Sequence, residues 1–199
     1  MDTLELEQET AFLNESISTL TAARNSPDFL QSVHDIARVI TTCFRDGGKL
    51  LLAGNGGSAG DAQHIAGEFL SRLNFDRAPL PAIALTTDTS VLTAIGNDYG
   101  YQDVFKRQVL GLGRPGDVFI GISTSGRSPN VVGAMHAARE LGLITVGFLG
   151  EDPRDMGPLC DLILKAPSGS TPLIQQIHIV AAHLICGRVE RDLFEPAAR

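Results

Sequence analysis

The chain has 199 residues, 43% of them hydrophobic, enough to bury one core and to be read as one domain spanning 1–199. A net charge of −7 and a pI near 5.1, with no run of Lys or Arg, exclude a nucleic-acid or anionic-membrane surface as the main partner. Cys43, Cys160 and Cys186 are odd in number and widely spaced, so buried free thiols are expected and a disulfide framework is excluded. The acidic start MDTLELEQET is unlike a signal peptide, and no apolar run approaches the roughly 20 residues of a membrane span. The expected location is the cytoplasm.

Two helices open the chain. Leu4, Leu6, Phe12, Leu13, Ile17 and Leu20 recur at helical spacing and predict the first, from Leu4 to about Ala23. Ser26-Pro27-Asp28 reads as an N-cap followed by proline at the first helical position. It starts a second helix over about Asp28–Arg45, ended by Asp46-Gly47-Gly48. Because it precedes any strand, the pair over 1–46 reads as an oligomerisation or capping element. From Gly48 onward, short apolar runs alternate with helical stretches. Strands are expected at Lys49–Ala53, Ala82–Leu85, Val118–Ile122, Thr145–Phe148 and Leu162–Lys165. Helices are expected at about Ser58–Leu73, at Ser90–Ile95 resuming over Gln102–Leu112, and at Pro129–Leu141. A turn near Arg154–Leu159 and a closing helix over Thr171–Leu193 complete the chain. Uninterrupted apolar strands suit a parallel sheet covered on both faces, so an α/β core over 47–199 is predicted, with about five parallel strands flanked by helices.

Ligands of open α/β sheets bind beyond the carboxyl ends of the strands. Two loops at predicted strand ends are rich in small polar residues. In the first, Gly54–Gly60, the glycines around Asn55, Gly56 and Gly57 let the backbone approach a ligand, and the helix that follows offers free N–H groups. This loop also fits G-x-G-x-x-A, a weak dinucleotide fingerprint. In the second, Ser123, Thr124, Ser125 and Ser128 put four hydroxyls into six residues ahead of a helix at Pro129, a compact monophosphate cradle for which a dinucleotide site has no use. The plain alternative for both is a turn with an N-cap.

His64 and Glu68 stand one helical turn apart and share a face, where they can bind one metal, act as base and orienting group, or form an ordinary surface pair. The closing helix sets Gln175, Gln176, His178 and His183 among apolar residues, and buried polar groups need partners. At 100° per residue Gln176 nearly eclipses His183 while Gln175 lies about 80° away, so spacing leaves open which glutamine accompanies that histidine. His178 lies about 140° from His183, so one of the two belongs to the core or an interface. His34 and His136 fall on polar helix faces. Asn97-Asp98-Tyr99-Gly100 reads as a tight turn, or alternatively as a place where Asp98 meets substrate hydroxyls.

Four segments, AGNGGSAGDAQHIAGEF, LTTDTSVLTAIGNDYGY, GDVFIGISTSGRSPNVVGA and IQQIHIVAAHLICG, resemble the sedoheptulose-7-phosphate isomerases, which are SIS-domain enzymes of bacterial heptose biosynthesis. The likeness runs through nearly the whole chain, with the motifs in the family's order and spacing. It implies a three-layer SIS sandwich with two extra N-terminal helices, a homotetramer, and one zinc ion per subunit. It implies that Ser123, Thr124, Ser125 and Ser128 hold the phosphate, and that Asn55, Gly56, Gly57, Asn97 and Asp98 contact the sugar. His64, Glu68, Gln175 and His183 would bind the zinc, with Gln175 also a substrate contact. Glu68 would contact substrate too, and with His183 form the acid/base pair. One position departs from the family: Gln176 stands where Glu is common, which removes a charge beside the site. The rival readings are a non-catalytic SIS protein acting through protein contacts, and a sugar-phosphate sensor. The first lacks the catalytic Glu, which this chain retains; the second ranks lower because no DNA-binding domain or basic arm is expected in this sequence.

Overall fold

The computed structural model describes residues 3–195, with side chains from residue 6; the side chain of Leu4 and the outermost ends of the 1–199 span lie outside the described residues. Helix α1 covers Thr3–Asn25 and α2 covers Pro27–Arg45. The Ser26 hydroxyl accepts from Phe29 N at 3.2 Å, the cap expected from its sequence. Phe29, Val33, Ile36, Ala37 and Ile40 bind α2 to the core. Helix α1 does the reverse of an ordinary amphipathic helix. Ser16, Thr19 and Ala23 face inward, the two hydroxyls donating to the carbonyls of Phe12 and Glu15. Leu13 and Ile17 stand 61% and 62% exposed, their apolar surface turned away from the chain's own core.

The alternation then follows as β1 (Leu50–Gly54), α3 (Gly57–Leu70), β2 (Ala82–Ala84), α4 (Thr89–Asp98) and α5 (Lys106–Leu112). It continues with β3 (Val118–Ser123), α6 (Pro129–Glu140), β4 (Ile144–Leu149), β5 (Leu162–Lys165) and α7 (Thr171–Phe194). Short 3₁₀ turns occupy Tyr101–Asp103 and Arg154–Leu159. All five strands are parallel, in the order β2-β1-β3-β4-β5, with Leu50 opposite Val118 and Ser123 opposite Leu149. Successive residues point to opposite faces, so the sheet has two cores. Leu50, Leu52, Ile120 and Phe148 pack beneath α2, α3 and α7, and Leu51 and Phe119 pack with Phe105 and Met135 beneath α5 and α6. No described helix is long and apolar enough to cross a membrane.

Three helices differ from expectation: α5 starts at Lys106, four residues after the expected Gln102, because Tyr101–Asp103 forms a separate 3₁₀ turn, and α3 and α4 differ at their ends. Helix α3 stops at Leu70, short of Leu73, because the Arg77 guanidinium donates to the carbonyls of Glu68, Phe69 and Ser71 at 2.8, 2.7 and 3.1 Å. The acceptors a longer helix needs are already engaged. Helix α4 starts one residue early, capped by Asp88 Oδ1 accepting from Val91 N, and carries Asn97 and Asp98 in its last turn, so the tight turn expected there is helix. Tyr99 caps it and Gly100 leaves it at φ 93° and ψ 156°, an extended positive-φ backbone open essentially to glycine.

The chain leaves β1 for β2 on one side and places β3 on the other. The sheet's switch point therefore lies between the carboxyl ends of β1 and β3, where the two polar loops emerge.

Candidate functional site

The loop after β1 is locked to the helix after β3. Asn55 Nδ2 donates to Asn130 Oδ1 at 2.9 Å and Asn130 Nδ2 returns a bond to Asn55 Oδ1 at 2.8 Å. Tyr101 Oη donates to the same Asn55 oxygen at 3.1 Å, and Asn130 Oδ1 also accepts from Val131 N at 3.0 Å. Asn130 is buried, so this reciprocal pair holds the two ligand loops at one spacing. At Gly57 the amide of Gln175 lies so close that a Cβ there would push it aside. That contact brings the start of α7 onto the start of α3, and the two helices run on side by side.

In the loop after β3, Ser123 Oγ lies 3.0 Å from Ser128 Oγ and 3.4 Å from Ser125 Oγ, and Arg127 N donates to Ser125 Oγ at 3.3 Å. Gly126 turns the loop at φ 64°, and a Cβ there would strike the Pro153 carbonyl; its own carbonyl accepts from Met156 N. The loop following β4 is thereby seated against the cradle. Thr124 and Ser125 line a cavity of about 320 Å³ with Arg127, Glu151, Arg154 and Ser168. The hydroxyls converge, and the N-terminus of α6 opens beside them, a favourable setting for an anion.

Two turns along α3 and α7, the ionisable residues meet. His64 Nε2 lies 2.8 Å from His183 Nε2 and 3.1 Å from Glu68 Oε1, and one donor atom from each of the three falls within 4.8 Å of the others. Two ring nitrogens this close require a shared proton or a cation between them. The cluster is open: the His64 side chain is 46% exposed and that of Glu68 17%. Asp61, one turn before His64, has one buried carboxylate oxygen with no partner among the described residues; burial raises its carboxyl above the usual range against the pull of His64. Gln175 sits at Gly57, eight residues or roughly 12 Å before His183 along α7. Asn97 and Asp98 are exposed at the end of α4, paired to each other at 2.8 Å.

The two histidines of α7 separate as their spacing requires. His178 is buried against Phe148, its Nε2 3.1 Å from the Leu149 carbonyl, and burial pulls its pKa down to about 4. His34 and His136 are exposed. The cysteines are unpaired, two buried and Cys160 half-buried; burial pushes Cys43 up to about 11, Cys160 up to about 12 and Cys186 higher still, so none is a poised nucleophile.

Four residues that organise the site escape sequence reading. Asn130 and Tyr101 hold Asn55. Arg77 and Glu190 form an ion pair at 3.1 Å, their side chains 2% and 1% exposed, between the end of α3 and the last turns of α7. Glu190 also accepts from Leu73 N, Asn74 N and Asn74 Nδ2. Burial favours its protonated form, but those hydrogen bonds and the Arg77 charge hold its carboxyl below the usual range. One available signal was that Glu190 falls seven residues after His183 in an apolar helix, nearly on the same face. Arg77 lies in an irregular stretch with no periodicity to read.

A profile described as SIS domain matches residues 11–150. The chain is 52% identical over 194 residues to a phosphoheptose isomerase of Burkholderia pseudomallei (strain 1710b), covering 98% of each. Among solved structures, phosphoheptose isomerase GmhA from Neisseria gonorrhoeae superposes with a TM-score of 0.88 at 41% identity, covering 94% of this chain and 99% of that one. One from Francisella tularensis gives 0.90 at 31% identity, covering 94% and 98%.

Proposed function

Because this chain belongs to the phosphoheptose isomerases of the SIS-domain family, we propose that it interconverts sedoheptulose 7-phosphate and D-glycero-D-manno-heptose 7-phosphate, at the entry to ADP-heptose and lipopolysaccharide core synthesis. It is an isomerase acting on a sugar phosphate. The observation that carries the mechanism is the meeting of His64, Glu68 and His183 beside the two strand-end loops. A pure sensor or protein-contact module has no need of such a cluster.

In the reaction as we read it, the Ser123, Thr124, Ser125 and Ser128 cradle anchors the phosphate. The backbone of Asn55, Gly56 and Gly57, with Gln175, Asn97 and Asp98, lies along the sugar. The Glu68 carboxylate takes a proton from C1 of the ketose, the C–H pair becomes the C1–C2 double bond of an enediol, and the same proton returns to C2. His183 carries the proton that the C2 oxygen gains and the C1 oxygen gives up; imidazole suits both directions near neutral pH. Net composition is unchanged, as an isomerisation requires.

Two imidazole nitrogens and a carboxylate oxygen form a donor set that fits zinc, and Gln175 is the fourth ligand we assign, its amide lying beside Gly57 on the same pair of helices. When bound, the ion would polarise the carbonyl and stabilise negative charge on the oxygens. The exposed apolar side of α1, with Val180 and Leu184 exposed near His183, supports a homotetramer built through the 1–46 helices, with sites near subunit contacts. We assign residues 1–199 to one SIS domain and place the enzyme in the cytoplasm.

The test is direct. Sedoheptulose 7-phosphate incubated with the protein should yield the aldose, followed by NMR. Glu68→Gln should lose about 10²- to 10⁴-fold in turnover while still binding sugar phosphate. Full turnover by that variant would overturn the assignment of Glu68.

A further inference from the structure

The hydroxyls of Ser123, Thr124, Ser125 and Ser128 carry no charge, and the carboxylates around them do not favour a dianion. Glu151 and Asp152 stand in the wall of the cavity that Thr124 and Ser125 line, in a chain of formal charge −7. Two arginines share that wall, Arg127 and Arg154. Arg154 is engaged: its Nε pairs with Asp152 Oδ2 at 2.5 Å and its backbone N–H donates to Asp152 Oδ1 at 3.2 Å. It is also held at φ 48°, the one described non-glycine residue at positive φ. Its charge is therefore largely cancelled by its neighbour.

Arg127 differs on each count. Its backbone N–H is tied to Ser125 Oγ, which fixes the residue at the lip of the cradle. Its exposed guanidinium makes no hydrogen bond or ion pair with any described residue. An exposed arginine is ordinarily a solvated surface charge. Here it is the one lining cation not already paired with a described carboxylate, beside a loop whose hydroxyls can neutralise nothing.

We propose that Arg127 is the counter-charge of the phosphate subsite. On the sugar-phosphate reading given above, on which this rests, its guanidinium closes on the phosphate from the open side of the cradle and offsets the repulsion of Glu151, the wall carboxylate that Arg154 does not pair with. A planar two-pronged donor suits phosphate oxygens better than a point charge does. Arg127 is thus a substrate-binding residue that discriminates phosphorylated from free sugars and takes no part in proton transfer.

The experiment compares the parent protein with Arg127→Gln and Arg127→Lys in kinetics with sedoheptulose 7-phosphate and in calorimetric titration with inorganic phosphate. Arg127→Gln should raise KM and weaken phosphate binding by about tenfold each, with kcat within about twofold, and Arg127→Lys should recover part of the loss. The KM of the parent should climb more steeply with salt than that of Arg127→Gln. Thermal unfolding without phosphate should not change, since the side chain holds nothing in place. KM and phosphate affinity within twofold of the parent in Arg127→Gln would overturn the proposal. If the parent binds phosphate but does not isomerise this sugar, the activity reading fails and the titration alone still decides for or against Arg127. If the parent does not bind phosphate either, both fall.

Discussion

Helix α7 puts similar residues to opposite uses. His178 and Glu190 are enclosed by fixed partners: a strand-end carbonyl for one, a guanidinium and three N–H donors for the other. His183, which is exposed, meets another exposed histidine and a half-open carboxylate, with nothing fixed to complete the group. A polar side chain in an apolar helix always signals a partner. Whether that partner is structural or reactive depends on what the far side of the contact leaves open to a ligand.

The contrast can be broken at four places. His183→Asn should cost about 10²- to 10⁴-fold in kcat with little change in urea unfolding; a marked fall in stability instead would place His183 with the structural set. Glu190→Gln keeps one of the two acceptor oxygens that Leu73 N and Asn74 N use, sets an NH2 group against the other donor, and leaves Arg77 charged and enclosed, so a loss of about 3–5 kcal/mol is expected in the same unfolding assay at neutral pH. A loss below about 1 kcal/mol would mean that water reaches the pair.

Third in size is a pH effect of His178. Its pKa in the native state is about 4 against an ordinary 6.5, so between those values the unfolded chain binds a proton that the native state refuses. Stability should fall as pH drops through this window, by up to about 3 kcal/mol, with no further loss from this group below it. His178→Gln retains a donor for Leu149 and should flatten that slope; parallel profiles for the two proteins would contradict the account. Smallest is Arg188→Ala, at an exposed position of α7. Its i,i+4 pair with Asp192 is solvent-exposed, so a change of no more than about 0.5 kcal/mol is expected, readable as a slight shift in the unfolding midpoint.

The strands were legible almost to the residue because buried parallel strands write their apolar runs locally. The loops at their ends were legible because glycine and hydroxyl residues cluster there for backbone reasons. What could not be read depends on side chains meeting across the fold. The end of α3 was overrun because its stop signal is Arg77, a residue outside the helix and without pattern. The choice between His178 and His183 stayed open because a helical wheel gives angles between residues and never says which face meets the sheet. Gln175 and Gln176 were undecided for the same reason; the contact of Gln175 with Gly57 exists only once α3 and α7 lie together. Asn55 was read as a sugar ligand, yet its side-chain oxygen is already shared by Asn130 and Tyr101, a bond set spanning 75 and 46 residues of sequence.

The junction of α3 and α7 has a consequence for how the protein is made. His64 and His183 are separated by 119 residues, and α7 is the last element of the fold. Until α7 docks, the His64–Glu68–His183 cluster does not exist, and Leu50, Leu52, Ile120 and Phe148 lack one of the helices that cover them. The cluster and one face of the core are therefore completed together, in the single event of α7 docking. A chain truncated before α7 should turn over nothing and should expose that apolar sheet face, readable as binding of a hydrophobic dye.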